Sequence, residues 1–326
     1  MAKCSICGRK AIEKIEYARK YLCSKHYTEF IEEKVRRSIR RYGLIKKGSK
    51  ILLAVSGGKD SIALLTILSK LSKEIHFKPY VLHIDLGIGK YSEVSRKIVE
   101  KAVQETNLPL IIIELKDLLG MSVLELAKKS GRPSCSVCGI VKRYLMNAVA
   151  IEMKADAVAT GHNLDDIMTF ILKEFLQQNL DGITKLVPRI DKINEAAAAK
   201  IRPLYEIFEK ETLTYVLINN IEFVKEKCPE ARTNTLNNVL KNHIHILEEK
   251  FPGIKYSFIR SFLRNIDKYP KLYMEKLMKC CICSLISSGT KCSYCKLTEK
   301  THGEPLGMYT RNYIRKLLTG MDYQGY

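Results

Sequence analysis

Apolar segments of two kinds alternate through the middle of the chain. Segments typical of buried strands occur at 51–55, 80–84, 110–114, 157–160 and near 201–204. Between them, apolar residues recur with the spacing of amphipathic helices at 61–73, 92–106, 139–152 and 165–178. Strands that alternate with helices favour right-handed crossovers, so we predict an α/β fold with a parallel sheet flanked by helices. Beyond residue 205 the pattern predicts only helices, at 206–219, 234–250 and 255–268.

A polar loop joins the first predicted strand to the first predicted helix. It consists of Ser56, Gly57, Gly58, Lys59, Asp60 and Ser61. Two adjacent glycines let the backbone turn tightly and present N–H groups to an anion, and the first turn of the helix adds partial positive charge. The loop therefore predicts a phosphate site. It lacks the glycine spacing of a Walker A loop, and an ordinary Gly-Gly turn is the alternative.

Ligands of parallel sheets bind at the carboxyl ends of the strands. We therefore expect His83, Asp85 and Gly161 to lie at the same edge as the loop, together with His162 and Asn163. The run of alanines at 196–199 predicts a mobile loop, and its function cannot be read from the sequence.

Composition and cysteine usage divide the chain into five predicted parts. These are a zinc finger at 1–30, a basic linker helix at 31–50, a catalytic nucleotide-binding domain at 51–205, a helical extension at 206–278, and a zinc ribbon with a tail at 279–326. The 46% of apolar residues can form sizeable cores, and no run is long enough to span a membrane. Without a signal peptide, the chain is predicted to be a cytoplasmic protein that does not bind membranes.

Two cysteine sets have the spacing of tetrahedral zinc sites. The first contains Cys4, Cys7, Cys23 and His26, and the second contains Cys280, Cys283, Cys292 and Cys295. Closed sites with four ligands are structural, so we assign both ions to folding. Cys281 is expected to be a neighbour without a metal.

Three further cysteines lie outside these sets: Cys135, Cys138 and Cys228. Three thiolates are one ligand short of a closed zinc or iron–sulfur site, and an open position is typical of a catalytic metal centre. The alternatives are a redox dithiol with an unrelated Cys228, a third zinc site completed by water or histidine, or buried thiols.

Lys and Arg outnumber Asp and Glu by 55 to 35, and the net charge of +20 indicates a nucleic-acid partner. The basic stretch between the first cysteine set and the loop is the predicted RNA-binding element. It includes Lys34, Arg36, Arg37, Arg40, Arg41, Lys46, Lys47 and Lys50. A solvated amphipathic helix is the alternative for this stretch.

The loop at 56–61 resembles the SGGxDS loop of the PP-loop ATP pyrophosphatases. The segments 135–143 and 161–166, Cys228-Pro229 and both terminal cysteine sets occur in the same order in the TtuA/TtcA group of tRNA 2-thiouridine and 2-thiocytidine synthetases. The resemblance spans nearly the whole chain. Both terminal sets and the segment Gly161-His162-Asn163-Leu164-Asp165-Asp166 are more similar to the TtuA branch.

This resemblance implies ATP and Mg²⁺ at the loop, a 4Fe-4S cluster on Cys135, Cys138 and Cys228, and sulfur transfer to C2 of a tRNA uridine. AMP would first activate the C2 oxygen as pyrophosphate leaves, and sulfur would then displace AMP. Lys142 would stabilise phosphate charge and Asp166 would act as a base or bind Mg²⁺. Their alternatives are a surface lysine and a helix N-terminal carboxylate. A persulfide on Cys135 or Cys138 is another possible sulfur carrier.

The resemblance favours the T-loop uridine, with the wobble uridine or a cytidine as alternatives. It further implies a homodimer and a sulfur donor, either sulfide or a ubiquitin-like thiocarboxylate protein. Two rival functions stay open at this point: another PP-loop ligase that does not need the three cysteines, and a zinc-containing RNA-binding protein without enzymatic activity.

Overall fold

The computed structural model describes residues 2–270 and 277–320. Residues 271–276 of the predicted helical extension and 321–326 of the predicted tail lie outside the described residues. The strands are β1 (Glu13–Ile15), β2 (Lys20–Leu22), β3 (Lys50–Ala54), β4 (Lys78–Asp85), β5 (Leu110–Glu114), β6 (Ala157–Thr160), β7 (Arg189–Ile190), β8 (Ala199–Ile201), β9 (Met278–Lys279) and β10 (Ile286–Ser287). The α-helices are α1 (Ser24–Arg41), α2 (Lys59–Ile75), α3 (Gly89–Thr106), α4 (Leu115–Leu119), α5 (Val123–Ser130), α6 (Ser134–Glu152), α7 (Leu164–Leu176), α8 (Leu180–Ile183), α9 (Glu209–Ile218), α10 (Leu236–Lys250), α11 (Ile254–Arg264), α12 (Ser293–His302) and α13 (Gly307–Thr319).

Six strands form the central sheet, in the order β5-β4-β3-β6-β8-β7. The pairs from β5 to β8 are parallel, and the short edge strand β7 pairs antiparallel to β8. The predicted α/β fold is confirmed, although β7 was not among the predicted strands. None of the described helices combines the length and the apolar character needed to cross a bilayer.

The central strands are apolar on both faces because helices cover both sides. Leu53 of β3 packs into the core formed with α1, α2 and α9, whereas Leu52 packs into the core formed with α5 and α6. Both side chains are fully buried. Because both faces of the sheet are buried, the sequences of these strands are continuous apolar runs and do not alternate between apolar and polar residues.

The strand order reverses between β3 and β6, so the loops after these two strands diverge at the carboxyl edge of the sheet. α2 begins at Lys59 after β3, and α7 begins at Leu164 after β6. A parallel sheet opens a crevice at such a point, and ligands of these folds bind there.

The C-terminal cysteine module packs on α6 through closely fitting groups. The rings of Tyr144 and Tyr294 stack with centroids 3.8 Å apart and planes 6° apart. The Tyr144 hydroxyl donates to the carbonyl of Gly307 at 2.8 Å. A Cβ at Gly307 would lie 2.4 Å from the sulfur of Cys295, so only glycine allows α13 to approach the cysteine set.

The alanine run at 196–199 is buried, so the predicted mobile loop is wrong. The side-chain amide of Asn147 donates to the Ala196 carbonyl at 2.9 Å, and its oxygen accepts from the Ala198 N–H at 3.0 Å. Ala199 begins β8, and Ile286 of the C-terminal module donates to the same Ala196 carbonyl at 3.0 Å. The small side chains let α6 and the C-terminal module approach this segment closely.

Lys34 is buried, in contrast to its predicted place on an RNA-binding surface. Its ammonium donates to the carboxylate of Glu211 at 2.5 and 2.7 Å and to the Tyr17 hydroxyl at 2.8 Å. The rings of Tyr17, Phe208, Tyr256 and Phe30 surround it at 5.1 to 5.6 Å. This contact fixes α1, which runs without a break across the predicted boundary between residues 30 and 31, onto α9.

We predict that Lys34→Met lowers the free energy of unfolding by about 3 kcal/mol, because Glu211 would stay buried without its partner. Arg37→Met is the matched control on the same helix, since the Arg37 side chain is 55% exposed. It should change stability by less than about 0.5 kcal/mol. Denaturant unfolding measures both, and equal effects of the two substitutions would contradict this account of Lys34.

Candidate functional site

A cavity of 330 Å³ opens at the carboxyl edge of the sheet, where the strand order reverses. Residues of the glycine loop, of β4, of the loop after β6 and of α6 line it together. The predicted site residues among them are Ser56, Gly58, Asp60, Ser61, His83, Lys142, Gly161 and His162. The cavity therefore combines most of the sequence-predicted nucleotide site with a residue of the cysteine-bearing helix α6.

The glycine loop needs its glycines for two physical reasons. Gly57 has a φ of 87°, a left-handed conformation that side chains disfavour. Its carbonyl accepts from the Val224 N–H at 2.9 Å, which brings the segment before Cys228 to the loop. Gly161 lies so close that a Cβ there would be 3.0 Å from the Ser61 nitrogen.

The two predicted residues at the end of β4 differ in position. His83 is buried, its Nδ1 is 3.0 Å from the Val55 carbonyl, and its Nε2 has no partner among the described residues. Burial lowers the pKa of His83, so the ring is neutral at pH 7. Asp85 lies at the same edge outside the cavity, where its carboxylate accepts from the Gly87 N–H at 2.8 Å.

Asp60 is held by three donors at the start of α2. It accepts from the Lys59 ammonium at 2.8 Å, from Thr212 at 2.5 Å and from the Asn163 side chain at 3.1 Å. These bonds link the loop to α7 and α9. Asp60 is therefore a point at which the loop, α7 and α9 are held together.

Glu209 joins the loop to helix α10 through two ammonium groups. Its carboxylate is 2.8 Å from Lys59 and 2.8 Å from Lys241, and Lys241 is 2.7 Å from Asp166. His245 lies 3.7 Å from Glu209. The sequence analysis missed Glu209, Lys241 and His245, because residues this far apart in the chain carry no common spacing signal.

Asp166 lies in the first turn of α7, as expected for a helix N-terminal carboxylate, and it has one additional partner. It forms a reciprocal capping pair with Asn163 at the start of α7, with bonds of 3.0 and 3.3 Å. Lys241 then pairs with its free oxygen. Its carboxylate thus lies beside the nucleotide cavity, close to the lining residue His162.

Cys135, Cys138 and Cys228 converge at the N-terminal end of α6. The Cys135 thiol is 3.6 Å from the Glu230 carbonyl, and Cys138 and Cys228 pack beside the same apolar cluster. Burial raises the pKa of Cys138, the ammonium of Lys142 opposes this rise, and Cys228 and Cys135 add to it. Lys142 thus lies between the thiols and the nucleotide cavity that it lines.

The ligand spacing separates the terminal cysteine sets from this trio. In the terminal sets the paired sulfurs lie 3.7 and 3.8 Å apart, close to the value of about 3.8 Å that a tetrahedral ion with 2.3 Å Zn–S bonds imposes. Within the described residues, only these two sets bring their ligand atoms within 4.8 Å of one another. The wider trio fits thiolates that bind different irons of one cluster better than it fits a third zinc.

Cys281 is exposed and is not among the four grouped ligands of the second set.

The predicted RNA-binding arginines of α1 mostly have carboxylate partners. Arg36 pairs with Glu74 at 2.8 Å, Arg41 with Glu206 at 2.8 Å and Arg37 with Glu33 at 3.5 Å, whereas Arg40 is exposed.

Comparison with known proteins agrees with this geometry. The PP-loop domain matches residues 27–247, and the N-terminal LIM domain of 2-thiouridine synthetase TtuA matches residues 3–28. The chain is 41% identical to the tRNA-5-methyluridine(54) 2-sulfurtransferase of Pyrococcus horikoshii over 90% of this chain and 93% of that protein. It is 35% identical to the Thermus thermophilus protein of the same name, over 97% and 94%.

A solved structure with a similar fold is the U34-tRNA thiolase NcsA from Methanococcus maripaludis, described with its 4Fe-4S cluster. The TM-score is 0.74 and the identity 25%, over 92% of this chain and 95% of that chain. The glycine loop at the reversal point of a parallel sheet thus defines a PP-loop nucleotide-binding protein. Within that class, the chain belongs to the family of the tRNA-5-methyluridine(54) 2-sulfurtransferases.

We predict that Glu209→Gln destabilises the protein by about 2 kcal/mol at pH 7, because Lys59 and Lys241 lose their shared counter-ion. His245, and then Lys241 and Lys59, lower the pKa of Glu209 against the effect of burial. The contribution of Glu209 to the free energy of unfolding is therefore complete above the ordinary pKa of a glutamate, about 4.3. It is lost as the pH falls towards the lowered pKa.

Unfolding measured from pH 7 to pH 3 checks this linkage. The stability difference between the natural protein and Glu209→Gln should shrink below about pH 4. Glu222→Gln is the control, since Glu222 pairs with Lys101 while 62% exposed. A difference for Glu209→Gln that stays constant with pH would contradict the expected titration.

Proposed function

We propose that this chain is a tRNA uridine 2-sulfurtransferase that acts on position 54 in the T-loop and uses ATP. The observation that carries the proposal is the position of Lys142, which lines the nucleotide cavity and interacts with the Cys138 thiol. One residue thus joins an ATP-activating site to a sulfur site. The names of the relatives from Pyrococcus and Thermus supply the class of substrate and the position.

The chemistry requires the C2 oxygen of uridine to become a leaving group. This oxygen attacks the α-phosphorus of ATP, pyrophosphate departs, and the N3 proton is lost. Hydrosulfide then adds to C2, AMP leaves with the former C2 oxygen, and the proton brought by sulfur restores N3–H. The sum is uridine, ATP and hydrosulfide giving 2-thiouridine, AMP, pyrophosphate and the proton first lost from N3.

The glycine loop holds the departing pyrophosphate in this proposal. Ser56, Gly58 and Ser61 face the cavity with hydroxyl and N–H groups at the start of α2, which suits negative charge. Lys59 stays paired with Glu209 in the structure, and we infer that it turns to phosphate when ATP binds. Asp60 offers carboxylate oxygens suited to Mg²⁺, which offsets the phosphate charge.

Lys142 stabilises charge on the α-phosphate, because its ammonium lines the cavity on the side of the cysteines. Asp166 accepts the proton of the base. For this it must leave Lys241, which is 2.7 Å away in the structure. The buried, neutral ring of His83 also lines the cavity and adds no charge there.

The trio of Cys135, Cys138 and Cys228 would hold a 4Fe-4S cluster, and His26 and the seven terminal cysteines would hold two zinc ions. When bound, such a cluster supplies one iron without a protein ligand, to which an external sulfur species can bind. Of these three cysteines, Cys138 lies beside Lys142, so the chain would hold the cluster next to the residue that lines the nucleotide cavity. The exposed Cys135 leaves the site accessible to a sulfur donor.

The enzyme needs a sulfur donor and a tRNA as partners. The sulfur donor is sulfide or a ubiquitin-like protein with a C-terminal thiocarboxylate. The enzyme works as a homodimer in the cytoplasm, where tRNA is its substrate. The wobble uridine is the second candidate target, since the U34-tRNA thiolase NcsA has a similar fold over 92% of this chain.

We predict that anaerobically prepared protein converts U54 of a tRNA transcript to 2-thiouridine, with one AMP and one pyrophosphate released per sulfur. Mass spectrometry of mapped nucleosides measures the position. Cys138→Ser and Cys228→Ser should abolish thiolation and lose iron, yet bind ATP as before. Cys281→Ser is the matched control and should keep full activity, because Cys281 lies outside all three sets.

Each result that contradicts this prediction favours a different alternative. Thiolation at position 34 would favour the wobble uridine. Full activity without iron would favour a persulfide on Cys135 or Cys138, and full activity of Cys138→Ser would favour another PP-loop ligase. Absence of pyrophosphate release in the presence of tRNA would favour an RNA-binding protein without enzymatic activity.

A further inference from the structure

A second cavity lies on the other side of helix α6. It has a volume of 370 Å³ and is enclosed by α6, β8 and the C-terminal cysteine module. Four cations line it, Arg143, Lys200, Lys291 and Lys296, and no Asp or Glu does within the described ranges. We refer to the space lined by these four side chains as the basic cleft.

Of these four cations, only Lys291 has a counter-ion among the described residues, since Glu299 binds it at 2.6 and 2.7 Å. The Lys200 side chain is half-buried on β8, and its ammonium forms no hydrogen bond or ion pair with any described residue. Burial lowers the pKa of Lys200, and the positive charges of Arg202 and Arg143 lower it further. A cation in such a place costs free energy unless an anion joins it. None of the described residues supplies that anion.

Arg143 connects the basic cleft to the sulfur site. Its guanidinium lies against Gly139, where a Cβ would be only 2.9 Å from its Nη1. The glycine after Cys138 therefore lets Arg143 fold back along the first turns of α6, towards Cys135 and Cys138. Lys142 precedes Arg143 and faces the nucleotide cavity instead, as the rotation of about 100° per residue in a helix allows.

We propose that the basic cleft binds a backbone phosphate of the tRNA substrate beside the target nucleotide, with Arg143 and Lys200 as its ligands. This inference rests on the proposed function. A guanidinium can bind two phosphate oxygens at once, and Lys200 adds a point charge. ATP has its own phosphate cradle at residues 56–61, on the other side of α6. A phosphate held here places its nucleotide next to the cysteine-bearing end of the helix.

The basic cleft also accounts for the charge distribution better than the predicted arginines do. Arg36 and Arg41 of α1 are bound to carboxylates, so their charge is already compensated. Arg143 and Lys200 have no compensating carboxylate within the described residues. Binding of phosphate at the cleft relieves their mutual repulsion, and this gain is available only to an anionic ligand.

The test uses the full-length, metal-loaded protein and tRNA, with tRNA and ATP affinities measured separately. Arg143→Gln and Lys200→Met should each weaken tRNA binding about tenfold and reduce its salt dependence by about one unit of slope, while ATP affinity stays unchanged. Lys200→Met should also raise the melting temperature, because an uncompensated, partly buried charge is removed. Lys78→Gln, an exposed lysine where β4 starts at the opposite edge of the sheet, should alter neither affinity.

The proposed phosphate site in the cleft would be overturned if Arg143→Gln and Lys200→Met bound tRNA as tightly as the natural protein at every salt concentration. The proposed function would stand in that case, provided that the natural protein thiolates tRNA. Loss of ATP affinity with unchanged tRNA affinity would overturn the phosphate site as well. Failure of the natural protein itself to bind or thiolate tRNA would instead refute the proposed function. Because Arg143 is exposed, its variant should fold even if Lys200→Met does not.

Discussion

Helix α6 is buried between the sheet and the C-terminal cysteine module, and this packing positions both cavities of the molecule. Nine residues of this helix are buried, so its rotation and position are fixed by packing. The same helix carries Cys135 and Cys138 at its start, and it directs Lys142 and Arg143 into two different cavities. Chemistry at both cavities therefore depends on one packed element.

Ion pairs join the separate parts of the chain around this core. Lys34 and Glu211 fix the N-terminal module to α9, and Glu209 links the glycine loop to α10. Such pairs lie partly out of water, so removing one partner leaves an unpaired charge. The basic cleft differs because Arg143 and Lys200 have no carboxylate partner among the described residues. There, an anion from outside the fold completes the arrangement.

The sheet and the glycine loop were predictable because their signals are local. Residues 51–61 contain the strand, the turn and the helix start within one continuous segment, and short-range rules are sufficient to interpret it. The same holds for the terminal cysteine sets. By contrast, β7 has only two residues, and the alanines at 196–199 suggested mobility because the sequence does not show that Asn147 binds their backbone.

The alternation of strands and helices in the middle of the chain, the glycine loop, the two sets of four candidate metal ligands and the three further cysteines could be recognised from the sequence, since each is a local pattern along the chain. Which charges are compensated became clear only from the folded arrangement of the chain. Arg36 and Lys34 look alike in a basic stretch, yet one pairs at the surface and the other lies buried among aromatic rings. Partners such as Glu211 and Lys34 are far apart in sequence, and their pairing exists only once the chain has folded.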